Sequence, residues 1–151
     1  MPTITPFLWF DTQAEEAMAF YTSVFRRSRV ISVNRAQGRV MSVEFELEGQ
    51  RFMALNAGPQ FTFTEAISFF VACGTQQEID ELWTGLTAAG GAPSRCGWLK
   101  DKFGLSWQII PKNLGTMLAD KDPAKAARVM DAMLQMDKLD VQRLEQAHAG
   151  V

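Results

Sequence analysis

The chain has 151 residues, 47% of them hydrophobic and 21% charged. That is the composition of a folded globular protein of one domain or two small half-domains. Fifteen basic and 17 acidic residues leave a formal charge of −2, which gives no basic footprint for nucleic acid or an anionic membrane, and the single histidine, His148, excludes chemistry that needs two or three imidazoles.

Residues 3–10 (TITPFLWF) are rich in β-branched and aromatic side chains and predict a strand. Thr12 with Glu15 fits a capping box, and Ala14, Ala17, Met18, Tyr21, Val24 and Phe25 follow at helical spacing. Three strand-like runs come next, at 29–35, 40–47 and 51–56. In the middle one Met41, Val43, Phe45 and Leu47 alternate with Ser42, Glu44 and Glu46, and Glu48-Gly49-Gln50 is a hairpin turn. The pattern then restarts. Residues 66–72 predict a strand, Thr75 with Glu78 a second capping box, and Ile79, Leu82, Trp83, Leu86 and Ala89 a helical stripe ending at Gly90-Gly91. Shorter strands are expected near 93–97, 98–102 and 105–111, with Phe103-Gly104 as the last turn.

Two alignments carry an internal repeat. A shift of 63 places Thr12-Gln13-x-Glu15 on Thr75-Gln76-x-Glu78, and a shift of 62 places Phe20-Tyr21-Thr22 on Leu82-Trp83-Thr84. Two β-α-β-β-β modules in the same register read as a tandem duplication. The remaining residues repeat nothing. Asp122-Pro123 starts a helix whose stripe is Val129, Met130, Met133 and Met136; Asp140 caps another carrying Val141, Leu144 and Ala147. The Met-rich stripe reads as packing onto the domain or onto a partner subunit.

Cys73 and Cys96 lie 23 residues apart without a CxxC spacing, which reads as buried or idle thiols. The start, MPTITPF, lacks the basic region and long apolar core of a signal peptide, and no apolar run approaches the ~20 residues of a membrane span. A cytoplasmic location and no membrane partner are therefore expected.

The runs FMALNAGPQFTFTEAISFFV (52–71), CGWLKDKFGLSWQIIP (96–111) and ITPFLWFDTQAEEAMAFYTSVF (4–25) resemble the vicinal oxygen chelate superfamily. That superfamily includes glyoxalases, extradiol dioxygenases and bleomycin-resistance proteins. The likeness is to its PhnB-like, demethylubiquinone methyltransferase-like branch, and the tail run DPAKAARVMDAMLQMDKLD fits too. The resemblance implies an α+β fold: tandem βαβββ modules forming a glyoxalase-like open barrel or cleft, plus C-terminal helices. The expected boundaries are 1–60, 61–112 and a C-terminal helical extension at 113–151.

Metal-dependent members of the superfamily hold the ion with residues from the first and last strands of each module. The resemblance carries those positions to Pro6, Ala54, Ser68 and Gln108. Proline and alanine side chains donate nothing, Ser68 is a weak neutral ligand, and Gln108 offers one amide oxygen. No metal site and no cofactor are therefore expected. Methyl transfer is not expected either, because the first strand-to-helix turn, Phe10-Asp11-Thr12-Gln13, has no glycine-rich loop.

With those four positions facing the cleft, strand alternation places Leu8, Phe10, Phe52, Asn56, Phe70, Ser106 and Ile110 beside them. Phe7, Trp9, Met53, Leu55, Phe69, Trp107 and Ile109 then pack under the helices. The candidate ligand-binding residues are Gln108, Asn56, Ser68, Phe10, Phe52 and Phe70, with Trp98 and Lys100 at the rim. Gln108, Asn56 and the serines have the alternative of satisfying backbone groups, and Lys100 that of an ordinary charged hairpin. Glu44 is the candidate general base if its strand face lines the cleft; a solvated edge is the alternative.

The reading is a metal-free protein, a homodimer by what the resemblance implies, binding a small organic ligand. Two alternatives stand beside it: a metal-independent acid-base enzyme, and an interaction protein assembled through its Met-rich tail.

Overall fold

The computed structural model describes residues 1–151 as two compact units, Met1–Phe63 and Thr64–Val151. The first contains β1 (Phe7–Phe10), α1 (Ala14–Val24), β2 (Ser28–Ala36), β3 (Arg39–Leu47) and β4 (Gln50–Asn56). The second contains β5 (Ser68–Cys73), α2 (Gln76–Thr87), β6 (Ala92–Pro93), β7 (Trp98–Lys100) and β8 (Ser106–Pro111), followed by α3 (Leu114–Leu118), α4 (Pro123–Leu134) and α5 (Val141–Ala149).

Each unit has one open four-stranded sheet. The orders are β1-β4-β3-β2 and β5-β8-β7-β6, so in both the first strand lies parallel to the fourth and the other pairings are antiparallel. The same unusual order twice in one chain is the topological counterpart of the sequence repeat. Neither sheet closes on itself.

In the first unit α1 lies against β2, β3 and β4. Tyr21 of the helix stacks on Phe45 of β3 with ring centroids 6.1 Å apart, and Phe45 stacks on Phe52 of β4 at 5.4 Å. The β3–β4 hairpin turns through Glu48 and Gly49, both at positive φ (48° and 86°), the conformation that matches strand twist in a two-residue turn. The helix does not start where the expected capping box put it. Gln13 is its N-cap residue and makes no side-chain cap bond. The orphan N–H of Ala14 is instead taken by Asn56 Oδ1 from the end of β4, at 2.8 Å. Glu15, the expected second half of the box, pairs with Arg35 at 2.8 Å.

The expected cap at Thr75 forms, its Oγ1 accepting the N–H of Glu78 at 3.2 Å, while the Glu78 carboxylate reaches back to the Gly74 N–H at 3.4 Å. Ile79, Leu82, Trp83 and Leu86 of α2 are buried against a sheet that contributes Leu99, Trp107 and Ile109 to the core. Asp101, at 3% exposure a buried charge, closes the β7–β8 turn. Its Oδ1 accepts the N–H groups of Phe103 (2.8 Å) and Leu105 (3.1 Å), and its Oδ2 accepts Trp107 Nε1 (2.9 Å).

The tail packs on the second unit itself. Asp122 and Asp140 cap α4 and α5 as expected, while α3 was not signalled by any periodicity. Ile110 of β8 joins Leu114, Met117, Val129, Met136, Leu139 and Leu144 in one buried cluster. Of the expected stripe, Val129 and Met136 are buried and Met133 packs beside them, but Met130 is exposed. Cys96 N–H and Gly97 N–H donate to the carbonyls of Met136 and Asp137, each at 2.8 Å. Gly97 sits at φ +85°, and a Cβ there would stand 2.7 Å from Ile110 Cδ1 and 3.1 Å from Leu139 Cδ1. Only glycine admits so close a docking of the tail.

Candidate functional site

Pleating gives each sheet one face against its helix and one open face. In the second unit the open face is a small grid set by strand register. Gln108 pairs laterally with Trp98 of β7 and with Phe70 of β5, so the three form one row. The adjacent row is Lys100, Ser106 and Ser68. Gln108 Nε2 crosses between rows to donate to Ser68 Oγ at 2.9 Å. Phe70 is 61% exposed, which is high for a phenylalanine in the middle of a sheet face, while Trp98, Gln108, Ser68 and Lys100 are half-buried. Lys100 forms an ion pair with Glu65, whose carboxyl its hydrogen bond holds below the usual carboxylate range. Ser106, expected to be accessible, is buried. Beyond the Gln108 row the face is closed at Ile110 by the tail cluster.

Strand alternation in this unit follows the expectation: Phe69 packs its ring 5.4 Å from that of Trp107 on the helix side. In the first unit the expected faces are reversed. Leu8, Phe10, Phe52 and Ala54, placed on the open face by the sequence, are buried at 5% exposure or less, on the side that carries Phe45 and Tyr21. Phe7, Trp9, Met53 and Leu55 are instead the more accessible set, with Phe7 54% exposed. Phe10 and Phe52 are thus core residues of α1's face. Asn56 is occupied at both ends of its amide, accepting from Ala14 and donating from Nδ2 to the Val40 carbonyl at 3.1 Å. Glu44 does lie on the open face of its sheet, opposite Met53, but its carboxylate is in an ion pair with Arg51. Glu46 with Arg29 (3.4 Å) and Glu48 with Arg27 (2.9 Å) extend the same row of pairs.

The reversal has one cause, an even shift where the true one is odd. The first-strand positions that the resemblance carried over, Pro6 and Ser68, stand 62 residues apart. Burial requires 63, which places exposed Phe7 on exposed Phe70 and buried Phe10 on buried Cys73. It is also the shift that aligns the two Thr-Gln-x-Glu runs. Because Phe7 pairs with Met53 and Phe70 with Gln108, the positions equivalent in the two units are Thr5 with Ser68 and Met53 with Gln108.

Taken together, these four positions offer two hydroxyls, a thioether and an amide. Such a set lacks the imidazole and carboxylate donors that bind Zn²⁺, Ni²⁺ or Fe²⁺. No three His, Cys, Asp or Glu side chains anywhere converge to hold a metal. The residues present do not fit a divalent metal ion.

A family profile described as 3-demethylubiquinone-9 3-methyltransferase matches residues 2–110. No curated protein matches the chain. Among solved structures, a PhnB protein from Bacillus cereus is 39% identical, aligns over 73% of this chain and 99% of its own, and superposes with a TM-score of 0.68. A glyoxalase/bleomycin resistance protein from Albidiferax ferrireducens is 12% identical over 70% of this chain and 93% of its own, with a TM-score of 0.51. A glyoxylase/bleomycin resistance protein/dioxygenase domain from Frankia is 13% identical over 74% and 97%, with a TM-score of 0.53. The last two share the fold alone. With the tandem topology, the family profile and the PhnB match establish that the chain belongs to the 3-demethylubiquinone-9 3-methyltransferase-like, PhnB-like family, and its fold is shared with glyoxalase/bleomycin resistance proteins.

Proposed function

We propose that this chain binds a small, partly apolar organic molecule on the open face of its second sheet, without a metal ion. One observation carries the reading: Gln108, hydrogen-bonded to Ser68 of the neighbouring row, stands between Trp98 and Phe70, an aromatic ring left exposed on a sheet face. Exposed aromatic surface around a few fixed polar groups is the make-up of a small-molecule site. Lys100 stands at its rim. Phe10, Phe52 and Asn56 are left out of the site because packing and helix capping occupy them. Acid-base catalysis through Glu44 finds no support, since Arg51 neutralises that carboxylate. A homodimer is proposed with the binding reading, from what the resemblance implies, and a cytoplasmic location is proposed beside it.

The test is a thermal-shift screen of neutral and charged aromatic compounds on the full chain. A ligand at 100 times its dissociation constant adds about 2.7 kcal/mol of stability. The expected result is stabilisation by at least one compound that Gln108→Ala abolishes. Stabilisation that is unchanged in Gln108→Ala, or absent across the screen, overturns the assignment.

A further inference from the structure

The open face of the second sheet has a hydrogen-bonding polarity that specifies more than an apolar ligand. A glutamine amide carries one acceptor oxygen and two N–H donors. Gln108 spends one donor on Ser68 Oγ. Its Oε1 takes no bond from the protein, and no buried side-chain polar atom in the chain lacks a partner, so that oxygen is open to solvent. Ser68, having accepted from Gln108, keeps its own O–H proton to donate. Acceptor and donor are therefore held side by side, oriented by the bond between them.

Their surroundings restrict the occupant further. Strands about 4.8 Å apart place Trp98 and Phe70 roughly 10 Å from each other across Gln108, which leaves room for a flat ring over the amide with aromatic surface on both sides. The charged group at the edge, Lys100, is already neutralised by Glu65, so the face offers no unpaired charge to a ligand. The tail ends the face: Ile110, the next outward residue of β8, is buried with Leu139 and Met136. A face closed at one end suits a short molecule and not a peptide strand running along the sheet.

From this arrangement we infer that the face takes a flat, uncharged aromatic molecule bearing a ring N–H next to a carbonyl, a lactam edge. The ring N–H donates to Gln108 Oε1 and the carbonyl accepts from Ser68 Oγ, while the ring contacts Phe70 and Trp98. This rests on the binding reading above and narrows it to a chemical class.

The probes are 2-quinolinone, which has such an edge, and N-methyl-2-quinolinone, which is as flat and neutral but lacks the N–H. Isothermal titration into the full chain is expected to show 2-quinolinone binding at least tenfold more tightly, since a site built to accept an N–H discriminates against the analogue without one. Gln108→Leu should erase the difference, and Phe70→Ala, at a position already exposed, should weaken both probes. Ser68→Ala gives a second route should the Gln108 variant fold poorly, and it should reduce the 2-quinolinone preference without altering the circular dichroism. Equal affinities, a preference that survives both polar variants, or no binding of either probe overturns the lactam inference. If the wider screen still yields a Gln108-dependent ligand, only the ligand class is wrong. If it yields none, the binding reading fails with it.

Discussion

Asn56 Oδ1 accepts the backbone N–H of Ala14 at 2.8 Å, so the last residue of β4 caps a helix that begins 42 positions earlier in the chain. The same amide donates to the Val40 carbonyl at 3.1 Å. One side chain thus ties helix, central strand and neighbouring hairpin together, and it supplies what Thr12 was expected to supply locally.

Asn56→Ala is therefore expected to destabilise the fold by about 1–2 kcal/mol, the usual cost of losing a cap or a partly buried hydrogen bond. Asn56→Asp keeps the acceptor for Ala14 and loses only the bond to Val40, so it should cost less. Urea unfolding midpoints of the three proteins order them. Equal midpoints for Asn56→Ala and the parent would show that the cap contributes nothing.

Asp101 gathers three N–H donors at 3% exposure. Replacing it by alanine leaves those donors without their acceptor inside the turn that joins β7 to β8. A loss of roughly 3 kcal/mol or more is expected, because bonds to a charged acceptor are worth about 1.5–3 kcal/mol each and do not add fully. Asp101→Asn retains one oxygen but can turn an NH₂ toward a donor, and should fall between alanine and the parent. Trp107 fluorescence during denaturation reports the same turn.

The tail has its own acid dependence. The backbone N–H of Asp122, and next the His148 side chain at 2.8 Å, hold the Asp120 carboxyl below the usual aspartate range. A carboxyl depressed by folding stabilises the native state above its unfolded value and loses that contribution as pH falls through the folded value. Urea midpoints should therefore drop on acidification below about pH 4, and the drop should be smaller in Asp120→Asn. An identical acid slope in parent and variant would remove Asp120 from the account. Asp80, lowered chiefly by the Gln76 side chain and then by Lys138, works in the same direction.

Much of the fold was legible before any coordinate. The repeated Thr-Gln-x-Glu runs, the alternating strand at 40–47 and the Asp122-Pro123 helix start all mark local conformations, and local signals lie in neighbouring residues. Three features were not legible. The cap of α1 comes from β4, which no window around Thr12 contains. The short helix α3 has too few residues for a periodicity. The buried faces of β1 and β4 were misassigned because a shift of 62 and one of 63 differ by a single residue, and a strand reverses its faces with every residue.

The same contrast holds at the candidate site. Composition and a lone histidine far from the strands were enough to place this chain apart from imidazole-bound metal chemistry, and long family-like runs identified its PhnB-like family. Those are properties of which residues are present and in what order. Tertiary structure alone decided that Phe10, Phe52 and Asn56 serve the core, that Glu44 is paired with Arg51, and that Trp98, Gln108 and Phe70 form one row. It also decided that the tail closes the face beyond that row, at Ile110. The physical reason is that each of these depends on strand register and on which face a helix covers, and both are set by contacts between residues distant in sequence.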